Sequence, residues 1–293
     1  MEDIFTCIDL SASTGHNLGF NYEPRHLRSL RRLLINRVFS VLDDFYESSP
    51  EIKKLLSLIY KSSNLDDRCN FVVLNWDIVL EKHLRDLDQH CRINYCTPCY
   101  DWLNPSSQQE SSGVPVCKMH GSSNWVYCDN CKSPFYKLDE KLPLHIKDGL
   151  NKSDFDILNC GMNDNQFYEE IGTSDEERKC RFCENKVSTH IASFSYRKSF
   201  RTSAYSSIWY HAERFLADSG HWVFIGYSLP EADYEFKHLL KSAQLRKPNP
   251  KQIEVIAEDN TTCEKFKKFF GKDVVKMCYN EGLAQYVSDQ DTI

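Results

Sequence analysis

A chain of 293 residues, 41% hydrophobic and 27% charged, has the composition of a folded protein with a sizeable core. No apolar run approaches the roughly 18 residues of a membrane span, and the opening MEDIFTCIDL lacks the basic start and long apolar stretch of a secretory signal, so a reducing cytoplasm is the expected home. The net charge of −6 supplies no general field to attract nucleic acid.

From Pro24 to Tyr46, Leu27, Leu30, Leu34, Val38 and Val41 recur at helical spacing, and EIKKLLSLIY continues the pattern in a second helix. Arg25, Arg28, Arg31, Arg32 and Arg37 cluster on the first of these, either as a solvated face or as a partner contact. FVVLNWD, residues 71 to 77, is an unbroken apolar run of strand type that passes directly into the helical IVLEKHLRDL. VPVCKMHG (114 to 121), HWVFIGYSL (221 to 229) and QIEVIAED (252 to 259) repeat the strand signal. SSIWYHAERFLADSG precedes the third of the four strands and EADYEFKHLLKSAQL follows it, both with helical periodicity. This alternation predicts an α/β fold, a Rossmann-like parallel sheet with helices on both faces. Between Cys131 and Cys180 the chain turns polar, with short helical pieces and no strong strand, as expected of an insertion. The organisation is therefore residues 1–127 as the N-terminal part of the α/β domain, 128–184 as an inserted module and 185–293 as the C-terminal part.

Thirteen cysteines in a chain without a secretion signal point to metal binding or free thiols more than to disulfides. CDNC and CRFC supply Cys128, Cys131, Cys180 and Cys183, and four thiolates make a closed tetrahedral zinc site that leaves no position for His120, eight residues upstream. Cys160 or His145 would be the substitute ligands. CTPC, residues 96 to 99, has Pro98 inside it and Tyr95 and Tyr100 beside it, and reads as buried or free thiols, with a redox role as the alternative.

Parallel α/β sheets bind ligands outside the carboxyl ends of their strands. The four expected strands end in Asn75 and Asp77, in His120 and Gly121, in Gly226, Tyr227 and Ser228, and in Glu258 and Asp259. Each has a structural alternative: Asn75 or Asp77 caps the following helix, and Ser228 with Pro230 only turns the chain. Together they favour a ligand crevice. Trp76 and Trp125 are either core residues or flat apolar walls for a ring.

LNWD before a helix, KMHGSSNW followed by CxxC, and FIGYSLPEAD resemble, in that order, the motifs of sirtuin-like NAD-consuming domains, above all the bacterial group that hydrolyses NAD in antiphage defence. The resemblance implies NAD+ as substrate, a structural Zn2+, and assembly as a homo-oligomer or with other defence subunits. It implies that Asn75 contacts the nicotinamide ribose or orders a water, that Asp77 supports that loop, and that His120 is the catalytic base. Gly226 and Ser228 would line the nucleotide cleft and Glu258 would meet the adenosine ribose. An NAD-dependent protein deacylase and a non-catalytic, zinc-stabilised interaction module are the competing readings. One hallmark is missing: no glycine-rich GAGxS turn follows an apolar strand, and the nearest segment, SASTGHNLGF at residues 11 to 20, has no strand before it. In the family an opening like EDIFTCID lies inside the domain, so the chain is expected to be shortened at its amino end and to need the missing part from elsewhere. Trp76 in place of a tyrosine, and ASFSYRKSF at 192 to 200 in place of a proline-containing stretch, are lesser departures.

Overall fold

A computed structural model describes residues 2–44, 48–62, 69–106, 113–128, 130–137, 152–158, 179–185, 187–188, 203–231, 233–246 and 251–290. Helices α1 (Glu2–Thr14), α2 (Pro24–Asp44) and α3 (Pro50–Ser62) open the chain. Phe5 of α1 and Ile35 of α2 bury against Trp76, which makes that tryptophan part of a small core, 3% exposed. The arginine cluster on α2 is partly consumed inside the protein: Arg31 pairs with Asp9 at 2.7 Å and Arg32 with the buried Asp154, whereas Arg25 pairs with Glu23 at 2.9 Å on the exposed surface. SASTG ends α1, with Gly15 at φ +76°, so this segment is a helix end and not a strand-to-helix phosphate turn.

Two three-stranded parallel sheets follow in place of one continuous sheet. The first has the order β1 (Phe71–Val73), β4 (Val114–Lys118), β2 (Ile93–Asn94), and the second the order β10 (Val275–Tyr279), β9 (Gln252–Ile256), β8 (His221–Ile225). Each of the four expected strands, β1, β4, β8 and β9, is shorter than its apolar run. β1 stops at Val73, and Leu74 to Asp77 leave the sheet to reach α4 (Val79–Leu87). The helix α6 (Ser203–Asp218) lies against β4 and against α7 (Tyr234–Leu245), so Ile208 and Ala212 share one core with Val116, Trp222, Leu240 and Val255. Both sheets therefore close on a common interior.

On β8, alternation decides what is covered: Trp222 and Phe224 turn to Phe266 and Phe270 of α8 (Asn260–Phe270), whereas Val223 and Ile225 on the other face remain 38% and 45% exposed. That other face is covered at β9 and β10, where Ile256 and Tyr279 pack with Tyr286 and Val287 of α9 (Gly282–Gln290). Helices thus cover both faces, as the sequence implies. Among the described residues no helix is long and apolar enough to cross a membrane.

A third, mixed sheet of order β3 (Tyr100–Asp101), β6 (Pro134–Tyr136), β5 (Trp125–Cys128), β7 (Val187–Ser188) forms the small module. β6 corrects the expectation of no strand after Cys131: Phe135 is fully buried between Trp102 and Tyr100, and that burial holds a polar stretch extended. The described part of the insertion adds α5 (Lys152–Ile157), tied to α2 by the Ser29 hydroxyl, which donates to Asp154 at 2.7 Å. Cys160, His145 and residues 192–200 lie outside the described residues. Cys263 and Cys278 form a disulfide between α8 and β10, against the expectation of free thiols, because the packing of the helix on its strand brings their Cα atoms to 6.2 Å.

Candidate functional site

The ends of β1 and β4 are held together by backbone and by one buried ion pair. Met119 N–H donates to the Val73 carbonyl at 2.9 Å and Ser123 N–H to the Trp76 carbonyl at 2.6 Å, so the loop after β4 lies alongside the loop after β1. Lys118, fully buried, donates its ammonium to the Asp77 carbonyl and sits 3.5 Å from Glu81, also fully buried. Beneath them Tyr95 donates to Glu81 at 3.5 Å and accepts from Asn124 at 3.0 Å. Burial pushes the Glu81 carboxyl up, with the Lys118 charge opposing, and pushes the Tyr95 phenol up as well.

His120 follows directly from this strand and is completely buried. Its ring lies 6.5 Å from that of Trp209, whose indole N–H donates to the neighbouring Met119 carbonyl at 3.1 Å. On another side, His120 Nε2 lies 3.5 Å from Asp233 Oδ1. Beyond it, the Ser122 and Ser123 hydroxyls and Asn124 Oδ1 are buried without a hydrogen-bond partner among the described residues. Buried polar atoms are almost always satisfied, by water or a ligand where not by protein, so this stretch has unspent capacity to bind.

The other expected positions are placed as follows. Asn75 is exposed on the loop after β1. Asp77, one residue before the N-cap Ile78, accepts from Val79 N–H at 3.0 Å and so satisfies the first amide of α4. Gly226 and Ser228 are exposed in the turn after β8, which needs a left-handed backbone twice, at Gly226 (φ +65°) and at the buried Leu229 (φ +52°). Glycine adopts that conformation without penalty; leucine there is strained, a feature that clusters at functional turns. Glu258 is exposed after β9, and the next residue, Asp259, caps α8 by accepting from Thr262 N–H at 2.7 Å. Its carboxyl is held below the usual range by the Thr261 hydroxyl first and the Thr262 amide next. Trp125 is core, edge-on to Tyr95 at 5.0 Å. Sequence reasoning missed Asp233: PEADYEF reads as an ordinary helix start, and only the approach of α7 to β4 gives its carboxylate another partner.

The four cysteines converge apart from His120. All four sulfurs lie within 4.8 Å of one another, with Cys128 to Cys183 and Cys131 to Cys180 each 3.5 Å apart. Tetrahedral zinc with thiolate bonds of about 2.3 Å needs sulfurs roughly 3.8 Å apart, so the cluster has the required size. Both pairs sit on the same kind of turn. Lys132 N–H donates to the Cys128 carbonyl at 2.9 Å and Glu184 N–H to the Cys180 carbonyl at 3.0 Å. Lys132 and Glu184 are both left-handed, at φ +61° and +59°. The Cys183 thiol is held down to about 5, first by the Asn130 side chain and then by the Asn185 backbone, whereas burial pushes the Cys128 and Cys180 thiols up. These residues fit Zn2+, held by Cys128, Cys131, Cys180 and Cys183. The Cys96 and Cys99 thiols are buried and free, and burial pushes that of Cys99 up.

No family model matches this chain, and no curated protein does. Solved structures do. A Sir2 variant in complex with a p53 peptide and NAD aligns with 99% of this chain and 82% of its own, at a TM-score of 0.50 and 12% identity. A structure described as the structural basis of sirtuin substrate affinity covers 99% and 80%, at 0.49 and 12%. A complex of Sir2, a p53 peptide and NAD+ covers 98% and 94%, at 0.46 and 12%. The chain has a sirtuin-like α/β fold.

Proposed function

We propose that the protein cleaves the bond between nicotinamide and ribose in NAD+, passing the ribose to water and releasing nicotinamide and ADP-ribose. The observation that carries the reading is the fully buried His120 at the end of β4, beside the loop that carries Asn75. Nicotinamide leaves as a neutral group while positive charge develops on the ribose, so no acid is needed for departure. A base must take a proton from water or a ribose hydroxyl, which is the role of His120. Ser122, Ser123 and Asn124 supply polar atoms that order the water or the sugar. Asn75 meets the ribose and Asp77 fixes its loop by holding the first amide of α4. Gly226, Ser228 and Glu258 border the rest of the nucleotide. Zinc is structural and stands outside the reaction.

A glycine-rich amide cradle, whether from a preceding segment, a second copy or another subunit, would add several charge-assisted hydrogen bonds to the pyrophosphate, each worth roughly 1.5 to 3 kcal/mol, and so raise NAD+ affinity. The test is nicotinamide release from NAD+ by the purified chain, alone and with neighbouring gene products. His120→Ala is expected to lower the rate by roughly 10²- to 10⁴-fold, the usual contribution of a general base; an unchanged rate in that variant removes the mechanism.

A second reading, an NAD-dependent protein deacylase, is favoured by one observation: the aligned Sir2 variant carries a p53 peptide together with NAD. In that case an acyl-lysine oxygen attacks the ribose instead of water. Formation of O-acyl-ADP-ribose from an acylated peptide selects it over hydrolysis.

A further inference from the structure

Three aspartates stand within two residues of a helix start, and they do different work. Asp77 accepts from Val79 N–H at the start of α4, and Asp259 accepts from Thr262 N–H at the start of α8. Asp233, at the N-cap of α7, makes no capping hydrogen bond, although this is the position where aspartate is most useful to a helix. Its backbone is fixed by the turn, with Asp233 N–H donating to the Pro230 carbonyl at 3.3 Å and Lys237 N–H donating to the Asp233 carbonyl at 3.0 Å. Its side chain is turned inward and buried, 3.5 Å from His120 Nε2, with Tyr227 donating its hydroxyl to the second carboxylate oxygen at 3.3 Å.

We propose that Asp233 is the positioning residue for His120: its carboxylate lies at ion-pair distance, 3.5 Å, from Nε2 and favours a proton on that nitrogen, which assigns proton acceptance to Nδ1. The inference rests on the NAD-cleaving reading for its catalytic consequence, but the contact itself is independent of substrate. Two features make the carboxylate suited to this. The N-terminal end of α7 stabilises negative charge, and the Tyr227 hydroxyl occupies the oxygen that does not face the ring. From β4, Lys118 is committed to Asp77 and Glu81; from α6, Trp209 presents an aromatic ring. An imidazole that gains a proton beside a buried carboxylate is stabilised in its charged form, and its second nitrogen is oriented by the first.

The test is nuclear magnetic resonance of the whole chain with labelled histidine, following His120 through a pH titration. In Asp233→Asn, which keeps the shape and removes the charge, His120 is expected to titrate roughly 1 to 3 pH units lower than in the parent protein. Asp233→Glu is expected to restore most of the difference. The acidic limb of the rate profile for NAD+ cleavage should move by the same amount. An unmoved His120 midpoint in folded Asp233→Asn protein overturns the proposal. Should that variant fail to fold, Tyr227→Phe replaces it: a moved midpoint supports the coupling, and an unmoved one overturns it. Absence of NAD+ cleavage in the parent protein would defeat the proposed reaction while leaving the titration result to decide the His120–Asp233 contact.

Discussion

Replacing Lys118 by methionine isolates the ion pair on which the candidate site is built. Lys118 and Glu81 are both fully buried and 3.5 Å apart. At an effective dielectric near 20, charges at about this separation attract by roughly 4 kcal/mol, and removing one partner of a buried pair typically costs about 3 to 5 kcal/mol because the other is left uncompensated. In Lys118→Met, Glu81 loses its compensating charge and keeps its own backbone amide and the 3.5 Å contact with the Tyr95 hydroxyl, while its second oxygen lacks a hydrogen-bond partner among the described residues. A loss of about 3 to 5 kcal/mol at pH 8 is therefore expected. The sign of the pH dependence follows from the raised carboxyl. Burial pushes Glu81 up and Lys118 opposes that rise, so removing Lys118 raises it further. Between the ordinary carboxylate range and the folded value, the native state holds a proton that the unfolded state releases. Stability then falls by about 1.4 kcal/mol per pH unit as pH rises through that window. The deficit should be smaller at pH 5 than at pH 8. Urea unfolding followed by tryptophan fluorescence at both pH values measures it, and the paired Glu81→Gln, Lys118→Met protein should recover much of the loss. A deficit under about 1 kcal/mol at pH 8, or one that does not change with pH, would refute a charged pair at this position.

Two further outcomes are expected. The purified protein should carry one zinc per chain by elemental analysis, and Cys180→Ser should lose it and melt the β3, β6, β5, β7 sheet first, seen as early exposure of Trp102; retention of the metal refutes the four-thiolate assignment. Reducing the Cys263–Cys278 bridge, whose partners are 15 residues apart in sequence, should lower stability by about 3 kcal/mol, as loop closure of that length predicts; an unchanged urea midpoint after reductant refutes this.

The candidate site residues were chosen on local signals. His120 and Asn75 stand where apolar runs give way to polar residues, and the CxxC spacing fixes which sulfurs can share one ion. The arginine cluster, by contrast, looked like a surface feature until α1 and α5 supplied Asp9 and Asp154 as partners. β6 escaped notice because Pro134, Phe135 and Tyr136 carry no alternating pattern of their own; the ring contacts of Phe135 hold them extended. Trp76 and Trp125, open as ring walls on sequence grounds, are consumed by the core.

The sequence by itself identified four of the parallel strands, the helices beside them and the two CxxC pairs, since periodicity of 2 or 3.6 and ligand spacing are properties of neighbouring residues. Only the tertiary structure decided that two parallel sheets share one interior, that Cys263 meets Cys278, and that of three aspartates at helix starts Asp233 faces an imidazole while Asp77 and Asp259 face amides. The reason is the same in each case: a side chain's partner is set by which distant element packs against it, and no local pattern along the chain carries that information.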